Sequence, residues 1–285
     1  VDAKITPDSV QAMTIDWDGL CATGFGVPVD VDLDELTEQL ASCLRDPDPQ
    51  VRDGAPYVVL RTWIARDVIA GPQRLRLGDD MARRFTDSEI QARTFAPLVL
   101  DMIVTRGDFR QTWLEAFGAW FPEETDLRGH DPKLGWLHAV AHGADLLGTF
   151  GTHPDVDPAA MLALATERIL ARTDHVWDQQ EDDRLAGAIA RVLTRPELSA
   201  AAATAWLDPI AADFGAIGRG PKPAYASNAM RTLRMLYLLL DRGAPLVPNG
   251  PKQPVPHAEP LKVRLASVLD HVFGHPPVKD FPPAA

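Results

Sequence analysis

His138, His142 and Asp145 stand at i, i+4 and i+7, the spacing that stacks side chains in one stripe of an α-helix. Two imidazoles and a carboxylate in that pattern admit two chemistries. His-x3-His can grip one divalent ion, zinc above all, from a single helix. Asp145 would then lie about 10.5 Å along the axis from His138, so all three on one ion would strain the geometry. The glutamate of a His-Glu-x-x-His hydrolase is also missing, which weakens the metal reading. Alternatively Asp145 can hold one imidazole tautomer while the ring moves protons near neutral pH. Solvated helix faces favour Glu, Lys and Arg, and this stripe has none. That tilts the reading from a wet surface, or plain hydrogen bonds to a neighbouring helix, towards a pocket.

Three further side chains could reach the same hollow. Arg128, in Asp126-Leu-Arg128-Gly129, can take a carboxylate or phosphate bidentately, or clamp Asp126 or a helix C-terminus. Arg93 can point into the cleft, or form surface pairs with Glu89 or Asp101. Trp136 falls on the apolar side of the histidine helix and reads as core before ligand platform. Glu181, Asp182 and Arg184 read as helix-start charges with an inter-helix salt bridge. Asn228, on an apolar helix, needs a partner if buried.

The elements that must position these groups are helical. Leu33, Leu36, Leu40 and Leu44 follow the N-cap Asp32. Asp48-Pro49 opens a helix running to about Ile69, which Gly71-Pro72 breaks. A short helix carries Leu75, Leu77 and Met81. Thr86-x-x-Glu89 is a capping box for a helix that Pro97 should kink. Phe109, Trp113, Phe117, Trp120 and Phe121 form an aromatic core stripe. After a polar loop over 122–134 comes the histidine helix, 135–150. Asp157-Pro158 starts another, and further helices cover about 180–194, 196–217, 225–241 and 259–273. No β-strand pattern is convincing. Segment 1–30 reads as irregular, 243–258 as a Pro/Gly-rich crossing loop, and 274–285 as an extended tail.

The expected fold is all-α: one domain over 1–285, roughly ten or eleven helices, with antiparallel helical hairpins in a curved, two-layer, HEAT-like α/α superhelical array. A chain of 285 residues with 46% hydrophobic and 24% charged residues has the composition of a soluble globular protein. Its net charge of −12 repels polyanions, so neither nucleic acid nor an anionic membrane is an expected partner. No apolar run is long enough to span a bilayer. Cys21 and Cys43 are too few for a disulfide framework and lie outside the central block. No signal peptide is visible. A cytoplasmic location is favoured, but the chain starts at Val1 rather than Met, which leaves open a removed leader and export. The acyl-transfer elbow, P-loop and dinucleotide fingerprint are absent.

Asp46-Pro-Asp-Pro-Gln-Val-Arg-Asp-Gly-Ala55 resembles the hairpin signature of HEAT-type repeats. A longer series of motifs comprises Arg52-Asp53-Gly-Ala55, Arg93-Thr94-Phe95, Asp126-Leu-Arg128-Gly129, Gly135-Trp136-Leu-His138-Ala-Val-Ala-His142-Gly-Ala-Asp145, Glu181-Asp182-Asp-Arg184-Leu185, Asn228 and Leu236-Tyr237. Over about 30–242 it resembles an uncharacterised bacterial family of all-helical domains of unknown function. Gly54 departs from that family's pattern, where a carboxylate or other polar residue is expected. The resemblance implies an all-α fold and no particular activity.

The leading functional expectation is a binding protein. Its concave pocket, around His138, His142, Asp145, Arg128 and Asp126, would hold a small polar ligand or a peptide. The rival is a hydrolase- or lyase-type enzyme using the same cluster, with a divalent metal or by His–Asp proton transfer. A third reading is an interaction scaffold without a pocket. No cofactor is assured beyond that candidate zinc ion.

Overall fold

A computed structural model describes residues 15–218, 220–246 and 250–273. Asp16 caps α1, Trp17–Ala22, a helix inside the segment read as irregular. Asp32 caps α2, Leu33–Cys43. Asp48 and N1 Pro49 open α3, Pro49–Arg52, but the expected long helix breaks here and resumes as α4, Ala55–Ala65. The break sits at Gly54, where a Cβ would lie 2.5 Å from the Gln50 carbonyl oxygen. A larger residue at this position, of the kind the resemblance led us to expect, would have to push that backbone aside.

Gly71-Pro72 opens α5, Gly71–Arg84, rather than merely ending its predecessor, since proline suits a first helical turn. α6 is Ile90–Thr105 and runs through Pro97. The expected capping box does not form. The Asp87 carboxylate accepts from the Glu89 amide, while the Thr86 hydroxyl donates back to the Arg83 carbonyl. α7, Gln111–Trp120, buries Trp113, Phe117 and Trp120 as expected.

Two residue pairs, β1 (His130–Asp131) and β2 (Gly135–Trp136), form an antiparallel bridge. α8 follows, Ala139–Thr152. α9 is Pro158–Leu170, capped by Asp157 as the sequence indicated, and α10 is Glu181–Val192. The helix expected over 196–217 is split into α11, Ala200–Ala205, and α12, Asp208–Ala216, because Pro209 is tolerated only in a first turn. α13 is Ala224–Arg242. Ala244–Pro245 (β3) pairs with Lys252–Gln253 (β4) in what was expected to be a crossing loop. α14 is Ala258–Phe273. The tail read as extended, 274–285, lies outside the described residues.

The protein is all-α apart from these two small ladders. α4, α6, α8, α10 and α13 pack side by side in that order; α5, α9 and α14 pack against members of this row, and α7 packs on α5. One apolar cluster runs through the array from Leu36 to Val272. Asn228 is fully buried and partnered as it must be: its carbonyl accepts from the Trp177 amide and its NH2 donates to the His175 carbonyl. Among the described residues no helix is long and apolar enough to cross a membrane.

The cap at Asp157 offers a local check of this assembly. Its carboxylate accepts from the Ala159 amide at 2.9 Å in an exposed turn. Asp157→Ala should lower stability by about 1 kcal/mol in urea unfolding, with an unchanged denaturant slope. A loss below about 0.3 kcal/mol would mean that solvent satisfies that helix end equally well.

Candidate functional site

The loop before α8 decides where the histidines go. Asp126 accepts from Arg128 Nε at 2.8 Å and Nη2 at 2.6 Å, and Arg128 also binds Asp131. These contacts raise the Arg128 pKa, the Asp126 hydrogen bonds most of all. Arg128 is therefore the clamp of its own turn. That turn presents backbone acceptors: the Gly129 carbonyl takes the Leu137 and His138 amides, and the Arg128 carbonyl also takes that of His138. Gly129 is needed for this approach, because a Cβ there would meet Glu181 Oε1 at 2.3 Å.

These bonds correct the expected helix. His138 is not its first-turn member but its N-cap, with a left-handed backbone, φ 50°. Non-glycine residues adopt that conformation infrequently. Trp136 is corrected too. It is 44% exposed, and its ring stacks on His138, centroids 4.5 Å apart and planes 4° from parallel.

His142, inside α8, is 7% exposed. Its Nδ1 lies 2.9 Å from the Thr94 carbonyl oxygen. That oxygen can only accept, so Nδ1 carries the hydrogen and the neutral ring keeps a lone pair on Nε2. Burial, aided by the charges of Arg184, His138 and Arg52, drives the His142 pKa from 6.5 to about 3. The two imidazole centroids are 5.5 Å apart.

Asp145 does not face either ring. It is held by both ends of the Arg184 fork, from α10. The carboxylate beside His138 is instead Glu181, the first residue of α10, fully buried, with Oε1 3.3 Å from His138 Nδ1. The two atoms are close enough to attract but not aligned as a hydrogen bond, and each lacks another partner. Glu181 Oε2 accepts from the Gln179 amide. Burial alone would raise the Glu181 pKa, but His138 and nearby backbone amides outweigh it and hold the carboxyl below its ordinary value.

Asp53, Tyr57, Phe95, Leu98, Trp136, His138, His142 and Arg184 line one open depression of about 330 Å³. The structure thus brings His138, His142 and Trp136 together and places Asp145 behind Arg184. Arg128 and Asp126 shape the loop below. Arg93 faces elsewhere: it forks onto Glu124 rather than pairing with Glu89 or Asp101, beside a second groove with Trp120 and Phe85. A larger hollow of about 490 Å³ lies between α2 and α5. There Arg76 and Gln73 bind Asp34, and Arg84 binds Asp80 and the Ala41 carbonyl. Its basic side chains are largely occupied with one another's neighbours. Among the described residues no group of three or more His, Cys, Asp or Glu is placed to hold a metal ion.

Sequence reasoning missed Asp53, Tyr57, Phe95, Leu98 and Glu181 as neighbours of the histidines. Only the recurring Arg-Asp, Arg-Thr-Phe and Glu-Asp-Asp-Arg phrases hinted at them.

An all-helical array with a polar depression between its central helices defines the class. Residues 30–55, which carry α2 and α3, are similar to a HEAT repeat associated with sister chromatid cohesion. Residues 81–238 match the family described as protein of unknown function DUF2785, and the chain belongs to that family. No curated protein and no solved structure matches it.

Proposed function

We propose that this protein binds a small polar ligand in the depression between α4, α6, α8 and α10. The observation that carries the reading is the meeting of His138, His142, Arg184 and the exposed Trp136 around one hollow. Its size, about 330 Å³, is at the small end for ligand pockets. A few convergent polar groups over an apolar floor of Phe95 and Leu98 is the composition such sites share.

Trp136 provides the test, because it is exposed enough to remove without breaking the fold. Trp136→Ala should change stability by no more than about 1 kcal/mol. In a thermal-shift screen of small amines, acids, sugars and short peptides, ligands that raise the wild-type melting temperature should lose that effect in the variant. Equal shifts in both proteins would place binding elsewhere.

A second reading, proton-transfer catalysis, is favoured by one contact: Glu181 backs His138 at 3.3 Å, as a carboxylate backs the imidazole of a general base. The metal form of an enzyme is a separate alternative, because a zinc ion on His138 and His142 would take the Nε2 lone pairs that a general base needs. Their Nδ1 atoms face a carboxylate and a carbonyl, which is how ligating imidazoles are usually held.

A further inference from the structure

The acid–base inventory of the depression limits what can fill it. Each histidine has its Nδ1 turned to an oxygen acceptor: His142 to the Thr94 carbonyl, His138 to the buried Glu181 carboxylate. With Nδ1 carrying the hydrogen, a neutral ring offers only a lone pair at Nε2. His142 is fixed this way by its bond to Thr94, and a neutral His138 with its hydrogen towards Glu181 matches it; rings in that state act as hydrogen-bond acceptors and cannot serve an acceptor-only ligand.

Charge points the same way. Asp53 is matched by Arg52, with Nε to Oδ1 at 2.8 Å. Arg184 is matched by Asp145. Next to His138 stands Glu181, a buried carboxylate whose Oε1 makes no hydrogen bond. Donation to His138 Nε2 would polarise the ring towards Glu181 and bring a cation within reach of that charge. Low exposure makes such a charge felt more strongly than it would be in water.

Resting on the binding function proposed above, we infer that the ligand is a small organic cation with N–H donors, of the amine, amidine or guanidine class. The donors bind the Nε2 lone pairs of His138 and His142. The same group can belong to a free molecule or to a lysine or arginine side chain of a peptide.

The experiment is calorimetric titration of the full chain at pH 8. The probes are methylguanidine, its neutral isostere methylurea, n-butylamine, Nα-acetyl-lysinamide, methanesulfonate and zinc chloride. Methylguanidine or an amine should bind with a millimolar dissociation constant, at least tenfold tighter than methylurea. Trp136→Ala should weaken it at least tenfold. Glu181→Gln, which keeps an acceptor for the Gln179 amide, should erase the preference for methylguanidine over methylurea. The Nε2 resonances of both histidines should shift in the wild type, a response that a structural role alone would not give. Stronger binding of the lysinamide than of butylamine assigns the cation to a peptide; the reverse assigns it to a free amine. Methanesulfonate binding that is lost in Trp136→Ala would overturn the cation class while leaving the depression as a ligand site. Stoichiometric zinc on the two histidines would overturn it in favour of a metal. Absence of heat from every cation up to 50 mM would overturn it as well, leaving the broader ligand screen to judge the depression itself.

Discussion

Arg52→Met should cost the fold about 3–5 kcal/mol, the cost of breaking a buried charged network by removing one partner. Arg52 is fully buried. Its guanidinium donates to the carbonyls of Asp46, Leu134 and Trp136 and to both oxygens of Asp53, and it lies 4.9 Å from the centre of the Phe95 ring. Methionine fills much of the volume but donates nothing. Three carbonyls and one carboxylate then lose their donor, and each unsatisfied buried group costs about 1–3 kcal/mol. Two of those carbonyls belong to the bridge that carries Trp136, more than eighty residues away in sequence. The variant should therefore also show faster amide exchange around 134–138, beyond its lower urea midpoint. A midpoint loss under about 1 kcal/mol would show that water replaces the guanidinium, and the loop would not depend on it.

That dependence explains how far the site was legible in the sequence. Repeating local signals were reliable: Asp157-Pro158 opens α9, and the aromatic stripe of α7 is core. Asn228 on an apolar helix demanded partners and has them. The family, too, was visible in the order of motifs. The failures at the histidine site have one cause. A helical wheel drawn from Gly135 assumes that the helix has already begun, whereas residues 135–137 alternate like a strand: Gly135 in, Trp136 out, Leu137 in. Two-residue ladders leave no periodic trace, and the carbonyls of Arg128 and Gly129 that end them act through backbone. Asp145 and His138 are seven residues apart yet do not meet. Glu181 and His138 are 43 apart and do, because α10 packs on α8. Spacing within an element is written in the sequence, while partners across elements are set by packing.

The site's best-insulated member gives the second large effect, which is read through pH. Between its pKa of about 3 in the folded protein and the ordinary 6.5, His142 takes up a proton on unfolding. The unfolded state binds more protons in that window, so stability falls as the solution is acidified. The contribution is complete above pH 6.5 and drains away as pH drops towards 3. At pH 5 the loss from this residue is about 2 kcal/mol, at 1.36 kcal/mol per unit. Carboxylates such as Glu181 also lose stabilising ionisation in acid, so the comparison must be differential. His142→Gln can still donate to the Thr94 carbonyl but does not titrate. Urea midpoints of wild type and variant, measured from pH 8 to pH 4.5, should separate in one direction only. The wild type should lose about 2 kcal/mol more than the variant by pH 5, with no divergence above pH 7. Parallel profiles across the range would mean that His142 titrates alike in the folded and unfolded chain. Its Nε2 would then become a donor below about pH 6.5 and stay an acceptor only above it.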